Sequence, residues 1–223
     1  MINDYLHAMV NHYLIEQSFT TPIGTVKCGL NSTRPKIEIT GRNSYENGTS
    51  IVYNTWSHNI ELITFKQRLP LYNGETVTDC EGWIWRITKA IDDEETLQLQ
   101  CLLNGYPTGV ELGGDPGENL DSISASNNNW TLHIGSEDGE TLESRASKDD
   151  WMPHRLIDSL GFSKSFTNVH FNGLITNVPV LIVGERIHFH YLTAYDKAKR
   201  DTVNTWLAVD EYKRNLENWI GIW

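Results

Sequence analysis

Long apolar runs, basic charge and cysteine are all scarce in this sequence of 223 residues, and each shortage narrows what the chain can be. No apolar run approaches the ~20 residues needed to cross a bilayer as a helix. The N-terminus, MINDYLHAMVNHYL, has neither a basic start nor an apolar centre. It is therefore not read as a secretory signal, and Met1 is taken as an intact start. Lys and Arg number 18 against 29 Asp and Glu, giving a net charge of −11. Binding a polyanion needs clustered cations to displace counterions, so nucleic acid and anionic membrane surfaces are disfavoured as partners. The only basic cluster, Lys197–Arg200, sits between Asp196 and Asp201 and reads as a solvated tip. Three cysteines, Cys28, Cys80 and Cys101, are too few and odd for a disulfide framework. A reducing, cytoplasmic setting is the expectation.

Motifs with a fixed chemistry are missing too. No Gly-x-Ser-x-Gly occurs, which disfavours a serine hydrolase. No glycine-rich phosphate loop follows a strand, which disfavours nucleotide binding. Carboxylates gather in tips such as Asp92–Glu95, where solvated charge is the default, and no pair suggests a glycosidase cleft. Asp115, Glu118 and Asp121 do not follow calcium-loop spacing. No cofactor and no metal site is therefore expected.

Aromatic and β-branched residues, by contrast, are abundant. A hydrophobic fraction of 39%, with 8 Trp, 9 Tyr and 6 Phe, indicates a folded globule. Period-two alternation is strongest in Ile187–Tyr195, with Ile187, Phe189 and Tyr191 on one face and His188, His190 and Leu192 on the other. The pattern predicts a long hairpin that returns as a strand over Val203–Val209. Trp83–Ile91 and Leu97–Leu103 repeat the plan around the acidic tip, with Trp85 falling on Phe189 and Arg86 on His190. Further strands are expected near Thr25–Leu30, Lys36–Thr40, Ser50–Thr55 and Asn59–Phe65, with Asn47-Gly48 as a hairpin dipeptide. Trp130–Ile134 and Thr141–Arg145 read as one more hairpin.

Three segments break this rhythm. Apolar residues at helical spacing predict an N-terminal amphipathic helix within residues 1–17. Residues 105–122, rich in Gly, Pro and acid, predict a long surface loop. Residues 149–161 predict a short helix, with Pro153 in its first turns and Gly161 after its end. The tail from Asp210 fits either a helix or a strand, docked by its aromatic residues.

The expected fold is thus mainly β: a single domain over residues 1–223, an antiparallel barrel or sandwich of ten or more strands, with an N-terminal helix and one short later helix. A helix late in a β chain resembles the calycin arrangement at the level of fold. The Gly-x-Trp of a lipocalin's first strand has no counterpart near Thr25–Leu30.

A barrel would enclose a cavity, since alternate side chains point inward. The expected function is an intracellular barrel around an apolar or aromatic small molecule, as a binding protein or as a cofactor-free isomerase or cyclase. His188 and His190 are the candidate catalytic residues, because imidazole exchanges protons near neutrality. Trp83, Trp85, Arg86, Tyr191 and Trp206 are the candidate ligand-binding residues, as aromatic walls with a polar handle. A non-catalytic protein-interaction module, by homodimer or partner contact, is the alternative. A metal-dependent barrel enzyme using the His188-Phe-His190 pair is a second, although zinc catalysis needs a third ligand and no histidine follows His190.

Overall fold

The computed structural model describes residues 13–66, 71, 74–117, 120–146, 148–156, 165–198 and 203–222. Two antiparallel sheets face each other, and neither closes on itself, so the fold is a sandwich and not a barrel. The smaller sheet contains β1 (Ile15–Thr20), β2 (Thr25–Ser32), β7 (Leu97–Asn104), β11 (Thr167–His170) and β12 (Gly173–Asn177). Its order is β1-β2-β7-β12-β11. The larger sheet contains β3 (Glu38–Tyr45), β4 (Gly48–Asn54), β5 (His58–Lys66), β6 (Asp79–Lys89), β8 (Glu111–Gly114), β9 (Leu120–Ser126), β10 (Trp130–Glu137) and β13 (Arg186–Lys197). These eight run in the order β3-β4-β5-β6-β13-β10-β9-β8.

Alternation explains the core between the sheets. Leu97, Leu99, Cys101 and Leu103 of β7 point inward while Gln98 and Gln100 point out, the pattern of a strand half in water. They meet Trp83, Trp85 and Ile87 of β6 and Ile187, Phe189 and Tyr191 of β13. The central strand β13 behaves differently, because Ile187 to Ala194 are buried without a break. Its second face lies beneath helices. Three have described bounds: α1 (Gly139–Ala146), α2 (Asn204–Val209) and α3 (Lys213–Ile220). There a second apolar cluster joins Ile63, Phe65, Ile84 and Leu192 of the sheet to Leu207 of α2 and Leu216 of α3. The molecule is therefore three layers deep at β13.

Several expectations are corrected by this layering. Trp83–Ile91 and Leu97–Leu103 do not form a hairpin: β6 lies in one sheet and β7 in the other, so residues 90–96 arch across the sandwich. Alternation is identical for a returning strand and an arching one, which is why the sequence pattern fits both. The expected strand Val203–Val209 is instead helix α2 from Asn204, and Thr141–Arg145 belongs to helix α1. The Thr141 N–H is capped by Asp138 Oδ1 at 2.8 Å, an N-cap signal sitting inside GSEDGE. The predicted loop over 105–122 contains β8, a short, exposed edge strand paired with β9. The expected N-terminal helix falls mostly on residues 1–12, outside the described residues, and at its end β1 is already extended from Ile15. Of the expected helix at 149–161, residues 149–153 are turn and bend, a helical turn at 154–156 follows Pro153, and residues 157–161 lie outside the described residues. The open choice at the C-terminus resolves to helix α3, ended by Gly221 at φ 82°, a left-handed position that glycine accepts without strain.

Candidate functional site

Strand alternation separates the residues singled out in the sequence. Trp83, Trp85 and Tyr191 sit in the core between the sheets, where Trp85 Nε1 donates to Cys28 Sγ at 3.4 Å and the Tyr191 hydroxyl bonds Thr176 Oγ1. Arg86, His188 and His190 emerge on the opposite face, under the helices. Trp206, on α2, is half-buried and donates from Nε1 to the Asp115 carbonyl at 3.2 Å. No shared lumen unites the seven, and the two histidines do not face the tryptophans.

The helix-covered face holds a polar cluster. Arg86 stands directly across from His188 in the β6–β13 ladder. Its Nη2 reaches Glu217 Oε1 of α3 at 2.6 Å, and its Nη1 lies 3.7 Å from Glu61 Oε2 of β5. Lys213 of α3 pairs with Asp149 at 2.7 Å and with Glu217 at 3.1 Å. Arg145 of α1 bridges Glu137 and Asp149, both at 3.0 Å, and donates to the His188 carbonyl at 3.0 Å. Burial raises the Asp149 carboxyl, but the Lys213 ammonium, the Trp151 N–H and Arg145 outweigh it and hold it below its usual value. Trp151 stacks under both Arg86 and Arg186, each 5.0 Å from the ring.

Hydrogen bonding fixes the two imidazoles. His190 Nε2 lies 3.1 Å from the Glu211 carbonyl, which can only accept, so that nitrogen carries the proton. Neutral His190 then accepts at Nδ1, and His188 Nε2 donates to it across 3.2 Å. This leaves His188 Nδ1 a bare lone pair, buried and without a hydrogen bond, 3.9 Å from Glu217 Oε1. Burial first, then Arg145, the neighbouring imidazole, Lys213 and Arg86, push His188 well below the usual histidine range. Burial also lowers His190, against the pull of Glu137 at 3.8 Å. Both are neutral, and both have their protons committed to holding structure. Among the described residues no group of three or more His, Cys, Asp or Glu is placed to hold a metal, so the His-x-His pair finds no third ligand there.

Two polar clusters escaped the sequence reading. His133 of β10 donates from Nε2 to Asp115 Oδ2 at 2.9 Å, and its Nδ1 lies 2.8 Å from Thr205 Oγ1 of α2. The order carboxylate–imidazole–hydroxyl is that of a hydrolase triad, but the burial is inverted: the Asp115 side chain is 50% exposed while Thr205 is buried. It pins α2 to the sheet. The second cluster closes the β6–β7 arch. Glu95 Oε2 accepts from the Ser57 N–H, Ser57 Oγ, Thr55 Oγ1 and His58 Nδ1 at 2.8–3.0 Å, and Oε1 accepts from Ser32 Oγ at 2.6 Å. Burial raises this carboxyl, yet the hydrogen bonds from His58, Ser32, Ser57 and Thr55 outweigh it and hold it at about 2. Residues spread from Ser32 to Glu95 meet here, and no local pattern could have announced it.

At the same end of the sandwich an apolar surface is exposed. Trp56 is 49% accessible, Ile91 58%, Val180 78%, Ile182 60% and Val183 55%. Their loops are tied together, since Ile91 N–H donates to the Ser57 carbonyl and Gly184 N–H to the Lys89 carbonyl at 2.9 Å. Two open hollows indent the surface, the first of them adjoining Val183 at Gly184. One, of about 400 Å³, is bordered by Asp150, His154, Arg155, Glu185 and Arg186, and one of about 430 Å³ by Tyr45, Glu46, Thr64, Lys66 and Glu81. Both have charged rims, unlike the walls an apolar ligand needs.

No family model and no curated protein matches the chain. Among solved structures, a protein described as a kojibiose phosphorylase from human microbiome aligns with a TM-score of 0.38 and 11% identity. The alignment covers 93% of this chain and 28% of that one. A likeness that low carries no argument about fold or activity. Among the described residues no helix is long and apolar enough to cross a membrane.

Proposed function

We propose that this chain is a non-catalytic interaction module, a β-sandwich that presents one apolar end to a partner protein. The observation that supports this reading is the joined exposure of Trp56, Ile91, Val180, Ile182 and Val183 on loops braced by a buried hydrogen-bond cluster. Contiguous apolar patches beyond a few hundred Å² are uncommon on soluble monomers and mark contact surfaces. Charge favours a different protein over a second copy. The chain carries −11, and the exposed Asp92 and Glu94 follow Ile91 directly. Of the nearby cations, Arg34 leans on Asp93 at 3.6 Å and Lys36 lies over the Trp56 ring at 5.5 Å. The complementary partner is an apolar surface with a basic rim.

A basic amphipathic peptide of alternating lysine and leucine blocks, titrated against Trp fluorescence, tests this together with sedimentation of the protein alone. The expected outcome is a monomer that binds the peptide saturably, with affinity at least tenfold weaker in Val180→Asp/Ile182→Asp. Equal binding by that variant, or a stable dimer lost with it, would sink the reading. The enclosed-ligand reading, with or without isomerase or cyclase chemistry, draws no support from a filled core and a sheet that does not close. His188 and His190 are accordingly not given a catalytic role.

A further inference from the structure

We propose that the His188–His190 pair is a proton-operated latch that holds the C-terminal helices α2 and α3 on the sheet at neutral pH and releases them on acidification. The argument begins with the direction of the hydrogen bonds. The chain of donors runs from His188 Nε2–H to His190 Nδ1, and from His190 Nε2–H to the carbonyl of Glu211, two residues before α3. That chain requires a neutral His190; it survives a proton on His188 Nδ1 and breaks when the second ring is protonated. With a proton on each, His188 Nε2–H and His190 Nδ1–H would point at one another across 3.2 Å, and the contact turns from a bond into a clash.

The first proton already has consequences. The one imidazole nitrogen free to take it is His188 Nδ1, which is buried and unpartnered. The nearest carboxylate is Glu217 Oε1 at 3.9 Å, the same oxygen that holds Arg86 at 2.6 Å. A charged His188 therefore competes with Arg86 for Glu217 and repels it. From α3 itself the pair faces Lys213, a cation, beside Glu217. From α1 it faces Arg145, whose guanidinium bonds the His188 carbonyl. β10 contributes Glu137, 3.8 Å from His190 Nδ1 and already paired with Arg145. Asp149 is taken by Lys213 and Arg145, Glu61 lies beyond Arg86, and burial raises the Glu211 carboxyl. Three cations thus stand around two neutral rings, and every nearby acid except Glu211 is paired with a cation of its own.

The groups that respond are concentrated on one segment. Glu211, Lys213 and Glu217 all belong to the last stretch of chain, whereas Arg86, His188 and His190 stand on central strands whose other neighbours are in the sandwich core. Losing the latch frees the segment without dismantling the sheets. What would be uncovered is the apolar outer face formed by Ile63, Phe65, Ile84 and Leu192. His133 also faces this segment, through Thr205 of α2 and Asp115, but neutral His133 has both nitrogens satisfied and offers no free lone pair to a proton.

Hydrogen exchange followed by mass spectrometry from pH 7.5 to 4.8, corrected for intrinsic rates, tests the latch. In the intact protein, protection of peptides from 204–222 should fall at least tenfold between pH 7 and 5, while peptides from β2 and β7 lose several-fold less. His188→Gln and His190→Gln should each flatten that fall, and His133→Gln should leave its midpoint in place. Imidazole nitrogen NMR on the unaltered protein gives a readout that survives if a variant fails to fold. His188 should be protonated at Nε2 at pH 7 and should titrate with the midpoint of segment release. An equal loss of protection in both sheets, an unchanged fall in the Gln variants, or His188 protonated at Nδ1 at pH 7 would overturn the proposal.

Discussion

Arg86 and His188 are direct cross-strand partners on β6 and β13, and the guanidinium beside the imidazole ends 2.6 Å from Glu217 on the last helix. Two central strands are thereby clasped to the C-terminal segment by a charge pair whose members are both largely buried. Glu217→Ala should cost about 3 kcal/mol, because Arg86 and Lys213 would be left underpaired in a poorly solvated layer. Arg86→Met combined with Glu217→Leu should cost less than either single truncation, since both charges of the pair leave together. Urea denaturation of Glu217→Ala and of the four proteins of the Arg86→Met/Glu217→Leu cycle measures both; a double variant weaker than both singles would contradict the expectation.

Glu95 presents the opposite electrostatic case, one carboxylate held by many neutral donors. Its folded value of about 2 lies below the ordinary 4.5, so the folded state binds its proton less tightly than the unfolded one. The stabilisation is then fully present above pH 4.5 and is lost as pH falls from 4.5 toward 2, worth about 3 kcal/mol at most. Glu95→Gln should remove much of it at pH 7 and flatten the acid limb of a stability profile. An unchanged acid limb would show that the arch is not closed by this carboxylate.

How far the sequence reaches can be seen by following single strands. The pattern of β7 was legible because one of its faces is in water, so Leu and Gln alternate as the environment does. The faces of β13 were also correctly separated, but both are buried, and composition could not say that His188 and His190 lie beneath helices rather than in a lumen. Alternation reports which residues share a face and nothing about what covers it. The same limit hid the arch between β6 and β7, and it hid α2, whose Leu207, Ala208 and Val209 form an apolar run too short to separate helix from strand. Cys101, which alternates with leucines along β7, is buried in the core. Glu95 reads in the sequence as part of a solvated acidic tip; its partners come from two other stretches, Ser32 and Thr55–His58, and only the fold brings them together.

Gly135 records how closely the helical layer approaches the sheet. A Cβ placed there would stand 2.8 Å from Leu120 Cδ1 and 2.9 Å from Val209 Cγ2, the latter on α2. Gly135→Ala should therefore destabilise by about 1–3 kcal/mol through overpacking, with the loss felt first in α2. Gly114, on the edge strand β8, has nothing within 4 Å of the same position. Gly114→Ala should change stability by no more than about 0.5 kcal/mol. Thermal melts of the two variants side by side check the contrast, and equal effects would mean that the layers are not in contact at Gly135.

Global stability should also carry the signature of the buried imidazoles, in a window separate from that of Glu95. Burial, with Arg145 and Lys213 nearby, depresses His188, and burial depresses His190 and His133, so each binds a proton more readily when the chain is unfolded. The unfolded state then takes up protons first as pH drops below about 6.5, and unfolding becomes easier. Stability is complete above that pH and declines as pH falls from 6.5 toward the depressed folded values, the reverse of what a histidine held charged by an acid would give. Urea midpoints measured between pH 7.5 and 5 should fall with pH, and His190→Gln should reduce the slope. A midpoint that rises on acidification through this window would mean that Glu137 and Glu217, and not burial and the surrounding cations, set the charge of the pair.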